Sequence, residues 1–205
     1  NTPKQSTLPR EQVAQAIVAG ARYVSMSPNL LKIYFRAFCF GISAVAVLAL
    51  LPLVARKALL GGPLIFGLLL CAFGLGALAA AALNGRLREK FSSEGVVRLS
   101  FLGFALSEIV IASTTNFFIS AAAVLIAGLC WVLALSLFNT IVQLSTPRWV
   151  VGRSLSFYQT AAFGGMAAGS WLWGMMAAKF GISEALQSAS SLSLVGLAVG
   201  FFWKM

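Results

Sequence analysis

Glu108 is the one ionisable side chain set well inside a long apolar run of this sequence. It lies about ten residues beyond Arg98, roughly 15 Å along a helix that rises 1.5 Å per residue, and so near the middle of a bilayer. An ionised carboxylate there costs about 2–3 kcal/mol or more unless it is paired or protonated. Two chemistries suit it. It could carry a proton or meet a cation, or it could be a neutral acid hydrogen-bonded to a neighbouring helix. A second group, Asn139, Thr140 and Gln143, falls near the end of another apolar run. Asn139 and Gln143 are four apart and share a helical face. Tyr158 and Gln159 open the following run at a similar depth. Together these side chains could line the inner end of a polar pathway for cargo. The plainer alternative is hydrogen bonding between helices, worth about 0.6 kcal/mol each.

Most other chemistry lacks raw material. The chain has no His and no Asp, so a zinc site, a His-based triad or an aspartic dyad cannot be assembled. Gly169-Ser170 offers a hydroxyl without a base to activate it. Cys39, Cys71 and Cys130 lie far apart inside apolar runs and read as small core residues. The expectation is a protein that is not an enzyme and uses no metal and no cofactor.

The elements that position these groups follow from composition. Of 205 residues, 60% are hydrophobic and only 10% charged, whereas a soluble domain is about 25% charged. This is an integral membrane protein. Six long apolar segments run over about 30–55, 61–84, 96–114, 117–145, 151–178 and 183–203. Each approaches or exceeds the roughly 20 residues a helix needs to cross a hydrocarbon core. Sustained period-two alternation is missing, and Leu, Ala and Gly dominate, so the fold class expected is an all-α polytopic bundle. Residues 1–28 differ. Residues 1–8 are polar, and Val13, Ile17, Gly20 and Val24 then make one apolar stripe on a helix too polar to span, which is expected to lie in the membrane interface or against the bundle, with room to shift at Gly20. The domain reading is a cytoplasmic linker with an amphipathic helix over 1–28 and a six-helix bundle over 29–205.

Lys and Arg fix the orientation. Lys4, Arg10, Arg22, Lys32, Arg36, Arg86, Arg88, Lys90, Arg98, Arg148, Arg153 and Lys204 fall at one set of segment ends, and only Arg56, Lys57 and Lys179 at the other. The positive-inside rule then puts both termini of the chain in the cytoplasm. Arg36, just inside the first segment, is expected to snorkel to that surface. A net charge of +10 could suggest nucleic acid, but the basic residues sit in short clusters between apolar runs and read as topology signals and contacts with lipid headgroups. Arg86, Arg88, Glu89, Lys90 and Glu94 are read as a mixed-charge cytoplasmic loop, either a solvated connector or a gating latch. Trp171 and Trp173 approach the outer end of the fifth segment and suit an aromatic belt, whereas Trp131 lies mid-segment as a packing residue.

Nineteen glycines suit close helix packing. In the fifth segment Gly164, Gly165, Gly169 and Gly174 are the candidate packing positions, with Gly165, Gly169 and Ala161 on one flat face. Gly67, Gly74 and Gly76 punctuate the second segment similarly. Gly-rich helices at corresponding places in two groups of three fit a 3+3 inverted repeat.

Over Asn139 to Gly174 the sequence resembles the major facilitator superfamily, and more narrowly its transmembrane secretion effector branch, which includes enterobactin-exporter-like proteins. The residues that carry the resemblance are Gln143, Pro147, Arg148-Trp149-Val150, Gly152-Arg153 and Tyr158, then Gly164-Gly165, Gly169-Ser170 and Trp173-Gly174. The resemblance implies that the six segments are helices seven to twelve of a twelve-helix transporter in the inner membrane, the C-terminal half of the fold. It implies alternating access around a central cavity, proton coupling, and export of a small siderophore- or drug-like molecule. It places Glu108 on a peripheral helix, which weakens the coupling role. Arg86, Arg88, Arg148, Gly152 and Arg153 become loop or gating candidates. The superfamily's loop signature is only echoed in residues 84–90, without its Asp, so a latching salt bridge would have to use Glu89 or Glu94. The expected partners are the bilayer, a missing N-terminal six-helix half and a small-molecule cargo, with no nucleic acid. The chain is then expected to be a fragment. A six-helix interaction or assembly module that transports nothing is the other reading.

Overall fold

The computed structural model describes residues 13–202, with the side chains of 13–16, 88 and 89 left aside. It contains seven α-helices and no strand among the described residues. They are α1 (Val13–Ser25), α2 (Pro28–Leu53), α3 (Pro63–Lys90), α4 (Ser93–Ser113), α5 (Phe117–Leu144), α6 (Val151–Lys179) and α7 (Ile182–Phe202).

Local chemistry sets the boundaries. Pro28 and Pro63 stand in the first turns of α2 and α3, where a missing N–H costs nothing. The Ser92 hydroxyl accepts from the Gly95 amide at 3.1 Å and starts α4, and Asn116 Oδ1 accepts from the Phe118 and Ile119 amides to start α5. Pro52, inside α2, removes one intrahelical donor, and the chain continues as a π-helical turn over Val54–Ala58. Gly181, at φ 109°, makes the left-handed turn between α6 and α7.

Five stretches are long and apolar enough to cross a membrane: Pro28–Ala58, Pro63–Leu87, Ser93–Ser113, Phe117–Leu144 and Ile182–Phe202. The chain is a multi-pass membrane protein. α6 has 29 residues but falls outside this set, because Gly, Ser, Tyr, Gln and Trp replace much of the aliphatic content its neighbours carry.

Side-chain contacts tie the ends together. The Tyr34 hydroxyl donates to Ser154 O at 2.8 Å, joining the starts of α2 and α6. Arg36 pairs with Glu94, and Arg98 donates to Gly200 O at 2.6 Å, bringing the start of α4 and the end of α7 to the same side. At the other end the Ser183 hydroxyl donates to Ala112 O. The helices therefore alternate in direction, and the basic ends gather on one side.

The core is aromatic at its centre. Phe40 of α2 meets Phe101 and Phe104 of α4, Trp131 and Phe138 of α5 edge-on or tilted, and Trp131 also contacts Phe73 of α3. Around it, α2 packs chiefly on α6 and α3 on α5.

Four expectations need correction. The charged stretch 86–90 is not a loop: α3 runs on to Lys90, because Arg, Leu, Glu and Lys are good helix formers and nothing breaks the helix before Ser92. Arg36 does not snorkel: its side chain is 2% exposed and held by Glu94. Trp173 is not a belt residue: it is buried, donating from Nε1 to Ile42 O at 2.6 Å, whereas Trp171 is exposed. α1 lies against the bundle, one of the two placements expected, but it has no room to shift: Gly20 lies against Arg153 and Phe157, Val24 is buried and Tyr23 meets Trp149 edge-on, while Ile17 of the expected stripe is 55% exposed. Residues 1–12 and 203–205, with Lys4, Arg10, Lys204 and both ends of the chain, lie outside the described residues.

Candidate functional site

α5 and α6 diverge enough to leave a cavity of about 340 Å³ between them. One wall, from α5, carries Ser136, Asn139 and Thr140; the other, from α6, carries Tyr158 and Gln159, with Ala162, Phe163 and Met166 deeper. The α5 residues fall three and four apart, so one helical face presents all three. Thr140 turns its hydroxyl onto Ser136 O at 2.9 Å, which satisfies the donor within its own helix. The Tyr158 ring is buried, and its hydroxyl donates to Leu135 O at 3.1 Å. That bond ties the cavity's two walls together. Gln143 Nε2 donates to Asn139 Oδ1, leaving the Asn139 amide nitrogen available. Gln159 is exposed at the rim. From α3, Asn84 Nδ2 donates to Ser136 Oγ at 3.0 Å and extends the polar strip.

The cavity thus holds amide and hydroxyl groups beside an aromatic ring and a thioether, and no ionised side chain lines it. Such a wall can hydrogen-bond a polar solute and pack its apolar parts. It offers no nucleophile paired with a base.

A family model described as transmembrane secretion effector matches residues 1–205. The chain belongs to the transmembrane secretion effector family. No curated protein matches it. The match covers the whole chain as well as the stretch 139–174, and the all-helical, multi-pass structure is consistent with the major facilitator superfamily.

The other candidate residues fall in several places. Glu108 is fully buried between α4 and α7, away from the cavity, and accepts a hydrogen bond from Ser193 Oγ at 3.0 Å. Gly165 and Gly169 touch the backbone of α2 at Phe38 and Ile42, whereas Gly164 and Gly174 face open space. Arg148 is exposed in the turn before α6, and Gly152 and Arg153 stand in the first turn of α6. Arg86 is exposed on the last turns of α3, and Arg88 is helical there too. No group of His, Cys, Asp and Glu that could hold a metal exists among the described residues.

Two features escaped the sequence reading. Ser136 and Asn84 join the polar strip, and the signal for Ser136 was its spacing from Asn139 and Thr140. The Arg36–Glu94 pair was the other; its signal was a guanidinium inside an apolar run, which requires a carboxylate from elsewhere in the chain.

Proposed function

We propose that this chain is the six-helix C-terminal half of a secondary transporter that exports a small organic, siderophore- or drug-like molecule by alternating access coupled to protons. The observation that carries the reading is the α5–α6 cavity, a polar strip opened between two long helices of a membrane protein in a family of secretion effectors. Asn139 and Gln159 bind cargo in this reading, and Tyr158 and Ser136 shape the wall. α6 is the sixth crossing: it is as long as its neighbours, and its small and polar residues face α2 and the cavity.

A 3+3 inverted repeat is supported by the helix pairing. α2 packs on α6 through Gly41 and Gly165, and α3 packs on α5 through Gly76 and Gly128. The first helix of each group of three thus packs on the middle helix of the other, with a glycine from each side at the crossing. The basic ends lie in the cytoplasm of the cell's inner membrane by the charge asymmetry. Open glycines at 67, 74, 164 and 174 leave faces of α3 and α6 that the other half of the transporter would cover.

The test is transport by the full-length protein in proteoliposomes under an imposed pH gradient, with a panel of siderophores and dyes. At least one should accumulate in a gradient-dependent way, and Gln159→Leu should reduce that accumulation while leaving the protein folded. Absence of gradient-dependent movement for every compound would favour a six-helix assembly module instead.

A further inference from the structure

A second cavity, of about 460 Å³, lies between the end of α2 and the start of α3, on the side of the bundle opposite the gathered basic ends. Its shape comes from the chain that joins the two helices. Past Pro52 the backbone widens into the π-helical turn, with the Leu59 amide donating to Val54 O at 3.0 Å and the Gly61 amide to Ala55 O at 2.9 Å. Leu60 then takes φ 50°, an uncommon conformation for a residue with a Cβ, and Gly62 and Pro63 open α3. Ala55, Gly61 and Gly62 add little side-chain volume to the wall, and a Cβ on Gly62 would meet nothing within 4 Å. The large side chains of the lining are Arg56 and Phe66, with the Pro52 ring beside them.

Arg56 is an exposed cation with no carboxylate paired to it among the described residues. The described acids stand elsewhere: Glu94 bonds Arg36 and Arg98, Glu108 is buried between α4 and α7, and Glu184 is in the first turn of α7. The α5–α6 cavity differs, because no ionised side chain lines it. In the 3+3 repeat proposed above, α2 and α3 correspond to α5 and α6. The two cavities are then counterparts, one beside the first turns of α6 and the other beside the first turn of α3. Inversion sets them toward opposite sides of the membrane, and the one beside α3 carries the cation.

We propose that this cavity is an outer-side subsite for an amphipathic organic anion, whose carboxylate or similar acidic group meets Arg56 while its apolar part lies on Pro52 and Phe66. The inference rests on reading the chain as half of an exporter, and it names the class of cargo: acidic at one end, apolar or aromatic at the other. A guanidinium holds a carboxylate by charge-assisted hydrogen bonds that an uncharged analogue cannot match. The apolar wall separates such a molecule from a small inorganic anion, which would gain the charge but bury no apolar surface.

The experiment uses the whole chain purified in detergent, with Cys39, Cys71 and Cys130 replaced and Gly62→Cys introduced, and follows alkylation of that variant by N-ethylmaleimide. The probes are phenylbutyrate and its uncharged amide. Phenylbutyrate should slow alkylation at a roughly tenfold lower concentration than the amide, the factor a charge-assisted contact at a partly open site supplies. Arg56→Gln should erase that difference. Lys57→Gln, at an exposed neighbour outside the cavity wall, should keep it. Equal slowing by acid and amide would overturn the proposal, and so would a preference that survives Arg56→Gln in a variant that melts like its parent. Slowing by inorganic phosphate alone would identify a free-anion site, and slowing by phosphatidylglycerol alone a lipid site; either also overturns it. Alkylation needs no gradient and no transport, so these outcomes are separate from those of the proteoliposome test.

Discussion

Gly41 of α2 and Gly165 of α6 each face the other helix's backbone: a Cβ on Gly41 would lie 2.5 Å from Ala162 O, and one on Gly165 would collide with Phe38 O. Gly76 of α3 and Gly128 of α5 repeat the arrangement against Leu125 O and Phe73 O. In lipid, helices associate through such backbone proximity rather than through a hydrophobic drive. Gly165→Ala, or Gly128→Ala, should therefore force two backbones apart and cost about 1–3 kcal/mol. Gly164→Ala, one residue along and facing open space, should cost almost nothing. Melting of the three variants in one detergent checks this, and equal melting temperatures would remove the close-packing account.

The hydrophobic runs and their proline, serine and asparagine boundaries made the helices legible, because each boundary depends on local chemistry. Asn139, Tyr158 and Gln159, which line one cavity, were legible as a candidate site because polar residues in a membrane segment stand out. Which glycine faced which helix was not. Gly164 and Gly165 are identical in sequence terms, and only the crossing of α2 over α6 separates a buried one from an open one. The same limit hid the Arg36–Glu94 pair, whose partners are 58 residues apart.

The orientation can be read chemically. Thr115 and Glu184 are exposed near one end of the bundle, and Ser93 and Pro147 near the other, where the basic residues gather. With Cys39, Cys71 and Cys130 replaced, single cysteines at Thr115 and Glu184 should react with an impermeant thiol reagent on intact cells. Cysteines at Ser93 and Pro147 should react only after the membrane is opened. The reverse pattern would invert the topology drawn from the charge asymmetry.

The ion pair of Arg36 with Glu94 makes a stability prediction of its own. Removing one partner of a buried pair costs roughly 3–5 kcal/mol, because the other is left desolvated. The Glu94 side chain keeps 12% exposure, so Glu94→Gln should fall at or below the low end of that range. Arg98→Gln should cost less, since Arg98 is the more exposed partner of Glu94. Thermal unfolding in detergent ranks them, and a Glu94→Gln variant as stable as the parent would show that the pair holds nothing together.

Glu108 separates structure from coupling. It sits fully buried between α4 and α7, its Oε2 accepts from Ser193 Oγ, and its Oε1 finds no hydrogen-bond partner among the described residues. The cavity between α5 and α6 does not include it. Gln keeps the size and one carbonyl acceptor for Ser193 but carries no exchangeable acid proton. If Glu108 only joins α4 to α7, Glu108→Gln in the full-length protein should fold, melt near the parent and retain gradient-driven transport. Glu108→Leu should instead be less stable, since the Ser193 hydroxyl loses its acceptor, a loss of about 1–3 kcal/mol for a buried polar group. That is the outcome expected from the burial and from the distance to the cavity wall. Loss of driven transport in a stable Gln variant, with cargo exchange intact in the absence of a gradient, would make Glu108 the proton carrier and move the coupling step to the α4–α7 interface.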